Sequence, residues 1–140
     1  ITNLKSLTDF ENADIKYFSG FVRYNIKFKA PISYVNKGGK VLLDLGQVGV
    51  TARVTLNGKL LGTVWYANTQ FDVSALLKEE NSLQVVVGNE YRNRIIGDFA
   101  EFGKLKNIWT TSPVQEYLDK DKSLKPSGLI GPIQLLKFSN

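Results

Sequence analysis

The feature that most constrains this chain is Asn57-Gly58, set between the runs VTARVTL and KLLGTVW, in which apolar and polar residues alternate. Both turn residues accept the positive φ of a type I′ turn, so a β-hairpin with a two-residue loop is expected. That loop fixes a register: Leu56 faces Lys59, Val54 faces Leu61, Ala52 faces Thr63 and Val50 faces Trp65. Directly opposed residues share a face. Val50, Ala52, Val54, Leu56, Leu61 and Trp65 then form a core face, and Thr51, Arg53, Thr55, Leu60, Gly62 and Val64 a mixed one. A lone hairpin is marginal in water, so further strands must cover the core face.

Those strands can be read along the chain. Residues 1–19 are polar with scattered Phe and Tyr and read as a lead-in segment. From Gly20, Val22, Tyr24, Ile26 and Phe28 alternate with Arg23, Asn25, Lys27 and Lys29, the pattern of a half-buried strand that Pro31 ends. Asn36 to Gly39 makes a turn, and Lys40 to Leu45 a second strand. After the hairpin, Tyr66 to Thr69 reads as a loop and Gln70 to Val73 as a short strand. Ser74 can cap one helical turn, Ala75 to Lys78, through its hydroxyl. Ser82 to Val87 is a buried strand, and Pro132 to Phe138 closes the chain with Pro at its first position. Between Gly88 and Ser127 regular patterning fails, and a stretch that long is either functional or holds irregular structure. About seven short strands, turn signals between them and almost no helical periodicity indicate an all-β sandwich or jelly roll. There is no internal repeat and no low-complexity segment.

Composition sets limits on chemistry. A chain of 140 residues is one domain with one core. It has no cysteine and no histidine, which excludes disulfides, thiolate nucleophiles, His-based triads and His- or Cys-ligated zinc. No apolar run is long enough for a membrane helix, and the start lacks the charged-then-apolar order of a signal peptide. A chain that begins at Ile1 and lacks methionine is expected to be a piece of a longer or processed protein. The net charge of +5 is dispersed over scattered lysines, without the aromatic interleaving of single-strand binders, so nucleic acid is not the expected partner.

Four stretches resemble a known family: FSGFVRYNIKF; LLDLGQVGVTARVTLNGKLLGTVW; FDVSALLKEENSLQVVVGNEYRNRIIGD; and PSGLIGPIQL. In this order they are similar to the glycosyl-hydrolase-like jelly-roll domains, the galactose-binding-like β-sandwiches of family 2 glycosidases and of the C-terminus of family 106 α-L-rhamnosidase-like enzymes. The resemblance covers Tyr17 to Leu136, and its most specific parts are Asn93 to Asp98 and Ser127 to Pro132. Trp65 to Asn68 departs from it, because a Pro- or Gly-rich loop is more usual there. The resemblance implies a non-catalytic accessory domain of an exported bacterial carbohydrate-degrading enzyme, periplasmic, cell-surface or secreted. Such a domain braces a separate catalytic domain and in some cases lends a loop to the substrate cleft.

Each candidate residue has a structural reading beside the functional one. The 13 acidic residues offer pairs such as Asp98 with Glu101 or Asp119 with Asp121, but none is flanked by the apolar residues that would split their pKa values. Catalysis by this chain is therefore not expected. Trp65 is a sugar platform or, by the register above, a core residue opposite Val50. Tyr66 lies at a loop mouth beside Asn68 and is the better exposed ring. Trp109 plugs the sandwich end or meets a ligand. Arg92, Asn93, Arg94 and Asp98 either read sugar hydroxyls or form an Arg–Asp pair that pins the long loop, and the second reading is the stronger. Gly38-Gly39 and Gly128 to Gly131 read as turns rather than phosphate cradles. Asp9, Glu11, Asn12 and Asp14 offer oxygen ligands without the ordered spacing of a calcium loop, so no cofactor is expected, a structural calcium ion being the alternative. The reading is an accessory domain partnered by a catalytic domain. An autonomous carbohydrate-binding module and an adhesive or structural sandwich are the alternatives.

Overall fold

The computed structural model describes residues 3–35, 38–65 and 69–138. A 3-10 turn at Leu7–Asp9 and a short helix α1 (Ala13–Lys16) lead into β1 (Gly20–Lys29), a helical turn α2 (Ile32–Val35) and β2 (Lys40–Asp44). Next come β3 (Gln47–Val48), β4 (Thr51–Leu56), β5 (Lys59–Trp65), β6 (Gln70–Asp72) and β7 (Glu80–Asn89). Two helices, α3 (Arg92–Phe102) and α4 (Val114–Lys120), precede β8 (Leu129–Gly131) and β9 (Gln134–Phe138). The strands pair antiparallel throughout, in a four-stranded sheet ordered β1-β7-β4-β5, a three-stranded sheet ordered β6-β2-β9 and a β3-β8 pair. The chain is an all-β sandwich.

Its core lies between the two larger sheets. Ala52, Val54 and Leu56 of β4 and Leu83, Val85 and Val87 of β7 meet Val41 and Leu43 of β2, with Val73, Leu129 and Ile133 closing the ends. Each buried Val or Leu contributes about 1.5–3 kcal/mol relative to an exposed one. The alternation in β1, with every second residue from Phe21 exposed, has the same cause.

The hairpin forms at the expected turn, with Asn57 at φ 51° and Gly58 at φ 81°. Its tip is also anchored. The Asn57 side chain donates to Leu76 O and to Asn81 Oδ1, both at 2.9 Å, and accepts from the Ser82 N–H at 2.9 Å. The expected register does not survive along β5. Val54 pairs with Gly62 and Thr55 with Leu60, leaving Leu61 as an inserted residue. Gly62 sits at φ 154°, a backbone that favours glycine. One extra residue exchanges the faces of everything after it. Val64 therefore points inward, and Trp65, opposite Thr51 rather than Val50, is 69% exposed. Reading Trp65 as a core residue is corrected by this bulge.

Two other expectations change. Residues 75–78 are not helical; a turn spans residues 74–76, closed by Val73 O, which accepts from the Leu76 and Leu77 N–H groups. The Ser74 hydroxyl does not cap it. It accepts from the Val41 N–H at 2.9 Å and bonds Asp72 Oδ1 at 2.6 Å, tying the turn to β2. The unpatterned stretch after β7 contains α3 and α4. The lead-in is fastened as well: the Leu7 N–H donates to Ser127 O, and Ser6 Oγ accepts from the Ser127 N–H.

Candidate functional site

The insertion between β7 and β8 gathers most of the residues singled out from sequence. The i,i+4 spacing puts Arg94 and Asp98 on one side of α3, where the Arg94 guanidinium meets Asp98 Oδ1 through Nη2 at 2.9 Å and Nε at 3.0 Å. Asp98 is fully buried. Its Oδ2 accepts from the Lys106 N–H at 2.8 Å and the Asn107 N–H at 2.7 Å, and Asn107 Nδ2 donates to Oδ1 at 2.8 Å. Burial works to raise the Asp98 pKa, but the two backbone donors, the Asn107 amide and Arg94 together hold it below the ordinary carboxylate value. Arg94 also bridges to Glu101 at 2.6 Å and lies over the Tyr17 ring. That ring packs on Gly97, where a Cβ would collide with it.

The two preceding residues fasten a different segment. Arg92 pairs with the Asp121 carboxylate at 2.8 Å and donates to the carbonyls of Asp121 and Ser123. Asn93, buried, donates to Lys125 O at 2.7 Å and accepts from the Lys125 N–H at 2.9 Å. Two turns of helix thus hold residues 106–107 on one side and residues 121–125 on the other. Trp109, two residues beyond the part of the loop held by Asp98, is 82% exposed.

The structure therefore brings Arg92, Asn93, Arg94 and Asp98 together and leaves Trp109 and Trp65 as separate exposed rings. Tyr66 and Asn68 lie outside the described residues, as does the Asp119 side chain. A cleft of about 320 Å³ lies at the base of the insertion, where Val48, Val50, Asn89, Glu90, Asn93 and Lys125 contribute to its lining. Asn89 and Asn93 are already engaged there, Asn89 by Gly20 O and the Gly128 N–H. Near the start, Asn12 Oδ1 caps α1 by accepting from the Asp14 N–H. Among the described residues no three acidic groups converge where a metal could sit.

Sequence reading missed α3 itself and the exposed Phe21. Asn93, Ile96 and Gly97 recur at helical spacing, a signal that was present but obscured by the polar residues Asn93 and Asp98 on the buried side.

No protein-family model matches the chain. A Formosa agariphila protein with the provisional name beta-glucuronidase is 39% identical over an alignment of 153 positions that covers 94% of this chain and 13% of that protein. The rhamnosidase from Novosphingobium sp. PP1Y superposes with a TM-score of 0.80 at 37% identity, over 96% of this chain and 12% of the enzyme. The matched piece is a partial domain, not the catalytic part. A Bifidobacterium dentium beta-glucuronidase, at 23% identity and a TM-score of 0.60 over 95% of this chain and 24% of that one, agrees in fold alone.

Proposed function

We propose that this chain is a non-catalytic accessory domain of a bacterial glycoside hydrolase of the α-L-rhamnosidase-like type, built as a galactose-binding-like jelly roll and exported with its enzyme. The observation that carries this reading is the match along nearly all of this chain to an eighth or so of much larger glycosidases, at 37% and 39% identity. The carboxylates agree with it. Glycoside hydrolysis needs an acid and a second carboxylate about 5 to 10 Å apart with a sugar between them. Asp98 has both oxygens engaged by donors, and Glu101 is paired to the same Arg94. Their work is to brace the insertion.

Braced in this way, the insertion presents Trp109 as an anchor for a neighbouring catalytic domain, with Tyr66 and Asn68 contributing to that boundary. A large ring held on a fastened loop loses little freedom when it is buried. The test has two arms. The reading frame around this segment is expected to encode a catalytic domain, and this polypeptide alone is expected to leave p-nitrophenyl α-L-rhamnoside and p-nitrophenyl β-D-glucuronide intact. A frame with no catalytic domain, or turnover by the chain alone, overturns the proposal. In the whole enzyme, Trp109→Ala is expected to lower the thermal midpoint.

A further inference from the structure

The outer face of the four-stranded sheet carries a second arrangement, remote in sequence from the insertion. Register places Phe21 opposite Gly88, Gly88 opposite Thr51 and Thr51 opposite Trp65. Phe21, 76% exposed, and Trp65 therefore end one row across all four strands. Three strand spacings separate them, about 14 Å at the backbone. The glycine between them is a requirement of packing. A Cβ on Gly88 would stand 2.6 Å from Thr51 Oγ1 and 3.0 Å from the Phe21 ring, so the ring lies over the place where a side chain would be.

The next row on the same face reads Arg23, Val86, Arg53, Thr63. Arg23 and Arg53 are both exposed and flank Val86 at two strand spacings, about 10 Å. Among the described residues neither is paired with a carboxylate, whereas Arg92 and Arg94 both are. Both guanidiniums are thus available to an anion, and the exposed aromatic rings forgo burial. Both features sit side by side on a face that also carries Asn25, Gln84 and Thr55.

We propose that this face binds an anionic polysaccharide laid across the strands. The rings would stack on the apolar faces of pyranoses, and the two guanidiniums would take carboxylate or sulfate groups, for which their planar paired donors are suited. A sugar, rather than another anion, is chosen on the strength of the glycosidase reading above. A single-stranded nucleic acid also stacks and carries charge, but it is bound in a basic groove that follows the backbone, and here two arginines stand on the open face of a sheet beside the row of rings.

Affinity electrophoresis of this polypeptide through gels containing polygalacturonate, dextran sulfate or neutral dextran tests the proposal. Retardation is expected in one or both anionic gels and not in dextran, and it should weaken with added salt. The first two gels distinguish carboxylate from sulfate recognition. Arg23→Gln with Arg53→Gln is expected to reduce affinity at least tenfold, and Phe21→Ala to reduce it with the charge unchanged. All three side chains are exposed, and circular dichroism of each variant checks that the fold is kept. Absence of retardation, equal binding by the double arginine variant, or tighter binding of a single-stranded oligonucleotide overturns the proposal. None of these results touches the accessory-domain reading, which stands or falls on the parent reading frame and the turnover assay.

Discussion

The Asp98 carboxylate and Asn107 are joined twice, by the Asn107 backbone N–H at 2.7 Å and by its side-chain amide at 2.8 Å. A buried acid on α3 thereby dictates the path of the loop that leads to Trp109. Asp98→Ala leaves Arg94 without its buried partner and two backbone N–H groups without an acceptor, and is expected to cost about 3–5 kcal/mol. Urea denaturation checks this. In a Trp65→Phe background the fluorescence of Trp109 reports the loop directly, and an unchanged urea midpoint would count against Asp98 as its anchor.

The same carboxylate makes the fold sensitive to acid. Asp98 is held below its ordinary pKa, against burial that works to raise it, and Asp44 behaves likewise through the Gly46 N–H, Gln70 and Thr69. A depressed folded-state pKa contributes stability that is complete above the unfolded value of about 3.9 and is lost as pH falls through the folded value. The urea midpoint is therefore expected to fall between about pH 5 and pH 3. If Asp98→Asn loses as much over that range as the native chain, the charge of Asp98 is not the source.

At the hairpin tip, Asn57→Gly keeps a residue that tolerates the positive φ of 51° but deletes three side-chain hydrogen bonds. At about 0.5–1.5 kcal/mol for each bond the expected loss is about 1.5–4.5 kcal/mol. A loss within experimental error would mean that the turn holds without its tether to residues 76–82.

The bulge offers a separate test. Gly62→Val puts a branched side chain at φ 154° and is expected to cost roughly 1–3 kcal/mol. It should also shift Trp65 emission if β5 slips to relieve the strain. Retained stability together with unchanged emission would show that the bulge does not need glycine.

Legibility varied with the range of the interaction. The strands of the core were readable, Val54 from the alternation that follows from the two-residue period of a strand, and Val41, Leu43, Val85 and Val87 from short continuous apolar runs bounded by turn residues. The ends of strands were less so: β7 runs from Glu80 to Asn89, beyond its apolar centre, because β1 supplies ladder partners along its whole length. The helix at Arg92–Phe102 escaped notice because two polar residues lie on its buried side, satisfied by groups up to thirty-odd residues away. The pairing of Arg94 with Asp98 was legible from i,i+4 spacing, but the segments that these residues hold were not.

By itself the sequence determined a sandwich of short antiparallel strands hinged on Asn57-Gly58, and a chain without the histidine or cysteine that many active sites use. Both follow from local conformational preference and from side-chain chemistry. Tertiary structure alone decided which way Trp65 points, which backbone groups Asp98 receives and that Phe21 shares a row with Trp65. Each depends on how distant strands and loops meet, and a one-residue bulge is enough to exchange the inside of a sheet for its outside.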